Sequence, residues 1–276
     1  MMRDFDPDTL RQKAKEFLLS RAHRKSDAMP CSEGQRSLWY LHQMAPESAA
    51  YNVGYAIEIE GPIDHKIIRK CCRDIVKRHA ELQSVFSSTS GSLLKRIEVG
   101  ERLDFKQIPV GIVSDREIRD IVIKEYKRPF DLSCGPLIRF VAFDLKNGNN
   151  IFLLVAHHIV CDGDSLWLLL DELGDQYSQT VGGGGESVVT IDSSYDEFVA
   201  SEQALINSGS LSPSWEYWRS KLEAAPNPID LTLANPRPNS QKLTGLSRPL
   251  RMGKCPGSAP LRQKCFNWEE RIFGSS

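Results

Sequence analysis

No apolar run in this sequence approaches the roughly 18 residues that a membrane-crossing helix needs; the longest lie at residues 151–156 and 166–170. A membrane partner is therefore not indicated. Charge of one sign is missing too, since 35 basic and 36 acidic side chains leave a net charge of −1. That balance argues against nucleic acid or an anionic surface as the partner. The start, "MMRDFDPDTLRQKAKEF", has no apolar core of the kind a secretory signal carries. Seven cysteines contain no CxxC pair and are odd in number. These features predict a cytoplasmic chain kept reduced. Internal repeats, GxSxG and HExxH are also missing, which argues against solenoids, nucleophile-elbow hydrolases and helical zinc proteases.

The chain does have the composition of a packed protein. Its 276 residues are 41% hydrophobic and 26% charged. That is enough for one large domain or two small ones. Residues 7–24 pattern as a helix, followed by a polar linker "KSDAMPC". "SEGQRSLWYLHQM" reads as a helix capped by Ser32. In "YNVGYAIEIEG", Tyr51, Val53, Tyr55, Ile57 and Ile59 alternate as on a half-buried strand. Asp64 can cap a helix that places Ile67, Ile68, Cys71, Cys72, Ile75, Val76 and His79 on one side. Short strands are expected at 84–87, 93–99 and 105–109, and "SDRE" at Ser114 is a capping box opening a helix to about Lys127.

"PLIRFVAFDL" and "IFLLVAHHIV" then read as two strands joined by the turn "KNGNN". Residues 164–177 are apolar on most sides and predict a buried helix on that sheet. "GGGGE" marks a flexible joint. Two helices follow, the second capped by Ser212 with Pro213 at its first position. After Ala225 the periodicity fades into a segment rich in Pro, Gly, Ser and basic residues, where no element is expected.

The stretch that bears on chemistry is "AHHIVCDGDSL". Tandem residues on a strand face opposite sides, so only one of His157 and His158 can face a given cleft. The other must be buried with a hydrogen-bond partner. Asp162 reads equally as the N-cap of the next helix, with Gly163 permitting a turn closed to other residues. That structural reading explains Asp and Gly but not the paired histidines. A functional reading covers all four: one imidazole handles a proton, the carboxylate orients the loop by binding a cation, and a backbone N–H near Gly163 stabilises an oxyanion. Zinc ranks behind both, because adjacent strand residues diverge and no further ligand motif exists. Ser165 reads as a first-turn helix residue.

"HHIVCDG" has the form HHxxxDG and resembles the active-site motif of the condensation domains of nonribosomal peptide synthetases. "SEGQRSLWYLHQMAPESAAYNV", "VKRHAELQSVF", "RPFDLSCGPLIRFVAF" and "YWRSKLEAAPNPIDLTLANPRP" resemble other segments of that family in its order, across roughly residues 30–238. The resemblance implies an α/β fold: a chloramphenicol acetyltransferase-like lobe, a mixed sheet with flanking helices, plus the start of a second lobe. It implies amide-bond formation between a carrier-bound aminoacyl or peptidyl thioester and an amine acceptor. Upstream donor and downstream acceptor carrier proteins are then the partners. No cofactor is bound directly; the phosphopantetheine arms belong to those partners. His158 takes the catalytic role, Gly163 lends its N–H near the oxyanion, His157 supports packing, and Asp162 is structural through an ion pair with an arginine. Ser37 and Gln83 stand where the family has arginines, changes expected to weaken the scaffold of the motif loop.

The expected organisation is an N-terminal helix and linker at 1–30, a condensation-type lobe at 31–181 and a joint at 182–187. The start of a second lobe follows at 188–240, then a divergent, poorly structured tail at 241–276. Because the family continues through a whole second lobe, a truncated, non-catalytic remnant is the alternative reading. A coenzyme A-dependent acyltransferase, which shares HxxxD, is a third, and "SEGQRSLWYL" argues against it.

Overall fold

Alternation and capping signals account for most of the element order. The computed structural model describes residues 28–89, 91–98, 100, 102–183, 194–223, 248–249 and 264–267. The expected helix at 7–24 lies outside the described residues. The chain runs through β1 (Met29–Pro30), α1 (Glu33–Met44), β2 (Asn52–Ile59), α2 (His65–Arg78) and a 3-10 turn (Ala80–Gln83). It continues with β3 (Ser84–Thr89), β4 (Ser92–Ile97), β5 (Asp104–Pro109), α3 (Asp115–Tyr126), β6 (Ile138–Asp144) and β7 (Asn150–His157). Last come α4 (Gly163–Val181), α5 (Tyr195–Asn207), α6 (Ser212–Glu223), β8 (Arg248–Pro249) and β9 (Lys264–Asn267).

Three helix starts are fixed as the sequence implies. Ser32 and Gln35 form a reciprocal capping box on α1, Asp64 accepts from the Lys66 and Ile67 amides, and Ser114 pairs with Glu117 on α3. The start of α6 differs by one residue. The Trp215 amide donates to the Leu211 carbonyl, so Leu211 holds the cap position and Pro213 the second helical one.

A six-stranded sheet runs in the order β5-β6-β7-β2-β9-β8, antiparallel except for the parallel β5–β6 pair. A three-stranded sheet, β1-β4-β3, lies beside it. One face of the large sheet packs against α2 and α4 through Ile68, Ile75, Leu154, Leu166 and Leu170. The other packs against α1, α3 and the small sheet through Phe86, Val122, Tyr126, Val141, Leu153 and Val155.

With both faces covered, β2 is not the half-buried strand that its alternation suggests. Val53, Tyr55 and Ile57 face α2 and α4, while Gly54 and Ala56 carry the opposite face. The second face is hidden because its residues are small. A Cβ on Gly54 would lie 2.7 Å from the Leu154 carbonyl oxygen and 3.3 Å from the Tyr126 ring. Only glycine admits that close approach. Similarly, α4 buries Leu166, Leu169, Leu170 and Leu173 but leaves Leu168 68% exposed, so its apolar character is wider than its contact face. Two short strands, β8 and β9, are described within 241–276, where composition led to no expected element. β9 pairs along the edge of β2, where unpaired backbone groups require partners. Among the described residues no helix is long and apolar enough to cross a membrane.

Candidate active site

β7 carries the motif to the edge of the packed layers. His157 is the last strand residue and falls on the same face as Leu153 and Val155. Its ring is 2% exposed and is surrounded by His42 of α1 at 5.7 Å, Phe130 at 6.3 Å and Tyr51 at 6.4 Å between centroids. The Ile159 amide donates to its Nδ1 at 3.1 Å. Nδ1 is thereby an acceptor, and the single proton of the neutral ring sits on Nε2. Burial, reinforced by the neighbouring His42 and His158, drives the His157 pKa down to about 3. The residue is a neutral packing element at any physiological pH.

His158 is the next residue and the first of a turn, and its side chain is exposed. Its backbone is tightly held. The His158 amide donates to the Tyr51 carbonyl at 2.8 Å, and the Val160 amide donates to the His157 carbonyl at 3.1 Å. The Ile159 carbonyl accepts from Gln35 Nε2 at 3.3 Å. Cys161 is buried beneath the turn, where desolvation pushes its thiol up to about 12, with the neighbouring Asp162 adding to the effect. It is not poised for nucleophilic chemistry.

Asp162 caps α4, accepting from the Ser165 amide at 2.8 Å. Hydrogen bonds from Ser165 hold its carboxyl below the usual carboxylate range, and His158 lowers it further. Among the described residues no arginine reaches Asp162, so its structural duty is capping in place of the implied ion pair. The conformational role given to Gly163 also changes. Gly163 is the first residue of α4 with no left-handed φ, and an added Cβ would meet only the Tyr55 hydroxyl at 3.7 Å. Its carbonyl accepts from that hydroxyl at 3.3 Å.

Support for His157 comes from residues that no short-range pattern marks. Arg139 of β6 is 1% exposed, and its guanidinium donates to the carbonyls of Glu125, Arg128 and Pro129 at 3.1, 2.6 and 3.1 Å. It also stacks 3.7 Å from the centroid of Phe130, the ring whose neighbour is His157. Burial, and the nearby Arg128, lower its pKa to about 10. Asn52 gathers the Tyr126 and Arg128 carbonyls, at 2.7 and 3.2 Å, and the Tyr126 hydroxyl returns a bond to the Asn52 carbonyl at 2.6 Å. The segment after α3 is thus clamped by its own carbonyls against β6 and β2, the two strands that flank the one ending in the motif.

The condensation domain family model matches residues 25–252. The chain belongs to the condensation domain family. It is 28% identical over 223 residues to malpinin synthetase of Mortierella alpina, covering 80% of this chain and 3% of that protein. It is 27% identical over 225 residues to the dimodular nonribosomal peptide synthase of Bacillus subtilis, covering 80% and 9%. Among solved structures it resembles the first condensation domain of the calcium-dependent antibiotic synthetase, in complex with a substrate analogue. There the TM-score is 0.69 at 24% identity, covering 82% of this chain and 53% of that one. The starter condensation domain of the rhizomide synthetase gives 0.66 at 19%, covering 82% and 52%. The chain therefore spans about half of these solved domains and a small share of the synthetases.

Two departures from the family pattern lie away from the motif of this condensation domain chain. The Ser37 hydroxyl donates to the Glu33 carbonyl within α1 at 3.0 Å, and the Gln83 carbonyl accepts from the Glu98 amide at 2.9 Å. Neither contact touches residues 157–163. Past the glycine-rich segment, α5 returns to the condensation lobe. Lys95, fully buried on β4, donates to Glu81 at 2.5 Å and to Asp196 of α5 at 2.8 Å, while the Tyr195 hydroxyl lies 2.9 Å from Ser32 Oγ.

Proposed function

We propose that this chain is the donor-side lobe of an amide-forming condensation domain and that His158 is its reacting imidazole. The observation that carries this reading is the division within the tandem pair: His157 is sealed and neutral, whereas His158 is exposed on a backbone bonded on both sides. In the proposed reaction the acceptor amine attacks the carbonyl carbon of the donor thioester. The C–N bond forms, the C–S bond breaks, and the phosphopantetheine thiol of the donor carrier protein leaves with a proton. His158 positions the amine or takes the proton it loses, a contribution on the order of 10²–10⁴ in rate for a placed general base. The Gly163 amide, in the first turn of α4, faces the developing oxyanion. Tethering of both substrates supplies high effective concentration, so few protein groups are needed. Two carrier proteins are the partners, and the five described cysteines, all free, fit a reducing cytoplasm.

The test is an assay with donor-loaded and acceptor-loaded carrier proteins. Amide product that depends on His158 supports this reading and excludes the remnant. Absence of product from the folded wild-type chain overturns it and leaves a lobe that keeps the fold without the activity.

A further inference from the structure

We infer that Gln35 is a positioning residue for His158, setting the backbone of the motif loop from outside the motif; the inference rests on His158 being the reacting side chain. Between His158 and Cys161 the loop has three backbone anchors. Two are made by the motif itself: the Ile159 amide to His157 Nδ1 and the Val160 amide to the His157 carbonyl, both at 3.1 Å. The third is the Ile159 carbonyl, and it is met by Gln35 Nε2 at 3.3 Å, from a residue 124 positions earlier in the chain.

Gln35 has no freedom to do otherwise. It is 3% exposed, and its Oε1 accepts from the Ser32 amide at 3.2 Å. With the oxygen so engaged, the amide nitrogen is directed at Ile159. Ile159 is itself 3% exposed, so water cannot readily replace a lost donor. A buried carbonyl left unpaired costs more than the bond contributes, and the loop responds by turning that carbonyl outward. That carbonyl shares its peptide unit with the Val160 N–H, so turning it out breaks the Val160 bond to the His157 carbonyl and draws Ile159, whose amide holds His157 Nδ1, out of place. The capping box of α1 thus serves two purposes with one side chain. One half, Ser32 Oγ accepting from the Gln35 amide at 3.1 Å, starts the helix. The Gln35 side chain closes the box and also ties that helix end to the site.

The two purposes separate experimentally in the full chain labelled with ¹⁵N. Gln35→Met removes the donor at nearly constant volume; Gln35→Ala, which cannot clash, is the second variant. Ser32→Ala removes the hydroxyl half of the box and leaves the Gln35–Ile159 bond. The readouts are amide hydrogen exchange at Val160 and the ¹⁵N chemical shift of His157 Nδ1, neither of which needs turnover. Both Gln35 variants are expected to exchange Val160 about tenfold faster or more, the factor that one hydrogen bond of ordinary net strength supplies, and to shift the His157 Nδ1 signal. Ser32→Ala is expected to lower the melting temperature and leave both readouts at wild-type values. Wild-type exchange at Val160 in the Gln35 variants, or an equal change in Ser32→Ala, overturns the inference. Because these signals report loop geometry, their failure is distinct from a failure of His158 to support amide formation.

Discussion

His157 couples the stability of this fold to pH. Its imidazole titrates at 6.5 when unfolded and at about 3 in the folded chain, where burial and the Ile159 amide leave no place for a second proton. Between those values the unfolded state binds more protons, so stability rises with pH across the window. The contribution is complete above pH 6.5 and is lost as pH falls toward 3. At about 1.4 kcal/mol per pH unit, the full loss is about 5 kcal/mol, and the part lost by pH 5 is about 2 kcal/mol. His157→Asn isolates it, because the Asn Oδ1 can accept from the Ile159 amide without titrating. Urea unfolding of both proteins at pH 7.5, 6, 5 and 4 gives the difference directly. His42, which burial also lowers, is present in both and largely cancels. The wild type should lose about 2 kcal/mol relative to His157→Asn between pH 7.5 and 5. Parallel curves would refute the assignment of His157 as a sealed, neutral ring.

Substitutions at three other positions test the frame around the motif. Arg139→Met removes the guanidinium donor from three carbonyls, of which the Arg128 carbonyl keeps Asn52 Nδ2 and the Glu125 carbonyl keeps the Arg128 amide, leaving the Pro129 carbonyl exposed to the full loss. It should cost about 1–3 kcal/mol in urea unfolding, and a loss under about 0.5 kcal/mol would mean the clamp is dispensable. Gly54→Ala forces a Cβ to 2.7 Å from the Leu154 carbonyl in the sheet centre. The overpacking should cost about 3 kcal/mol, read as a lowered melting temperature; an unchanged one would mean the strands separate freely there. Asp162→Ala should cost about 1 kcal/mol and Asp162→Asn much less, because asparagine also caps. Equal losses in the two would point to a charge partner in place of the cap.

Local signals in the sequence reach a long way into this fold. Apolar runs on either side of "KNGNN" located β6 and β7, and "SDRE" and Ser32 located helix starts, because caps and turns are set within four residues. Parity also required that one histidine of the pair be buried. What stayed hidden depended on residues far apart in the chain. Whether a strand is covered on one face or two depends on what topology places there, which is why β2 read as half-buried. Arg139 is a lone charge in the apolar run "PLIRFVAFDL", and its three carbonyl partners lie 10–14 residues away, at the end of α3 and in the segment after it. Asn52 and Tyr126 meet across 74 residues and Lys95 and Asp196 across 101. The arginine implied for Asp162 was a family expectation, and the local cap takes its place in the described structure.

Everything proposed for the motif depends on one imidazole being presented and the other sealed. Histidine-selective carbethoxylation of the full chain at pH 7, followed by peptide mapping, measures both residues at once. His158 should be modified at the rate of an accessible histidine, while His157 stays unmodified until the protein is unfolded. Modification of His157 at a comparable rate, or protection of His158, would contradict that division.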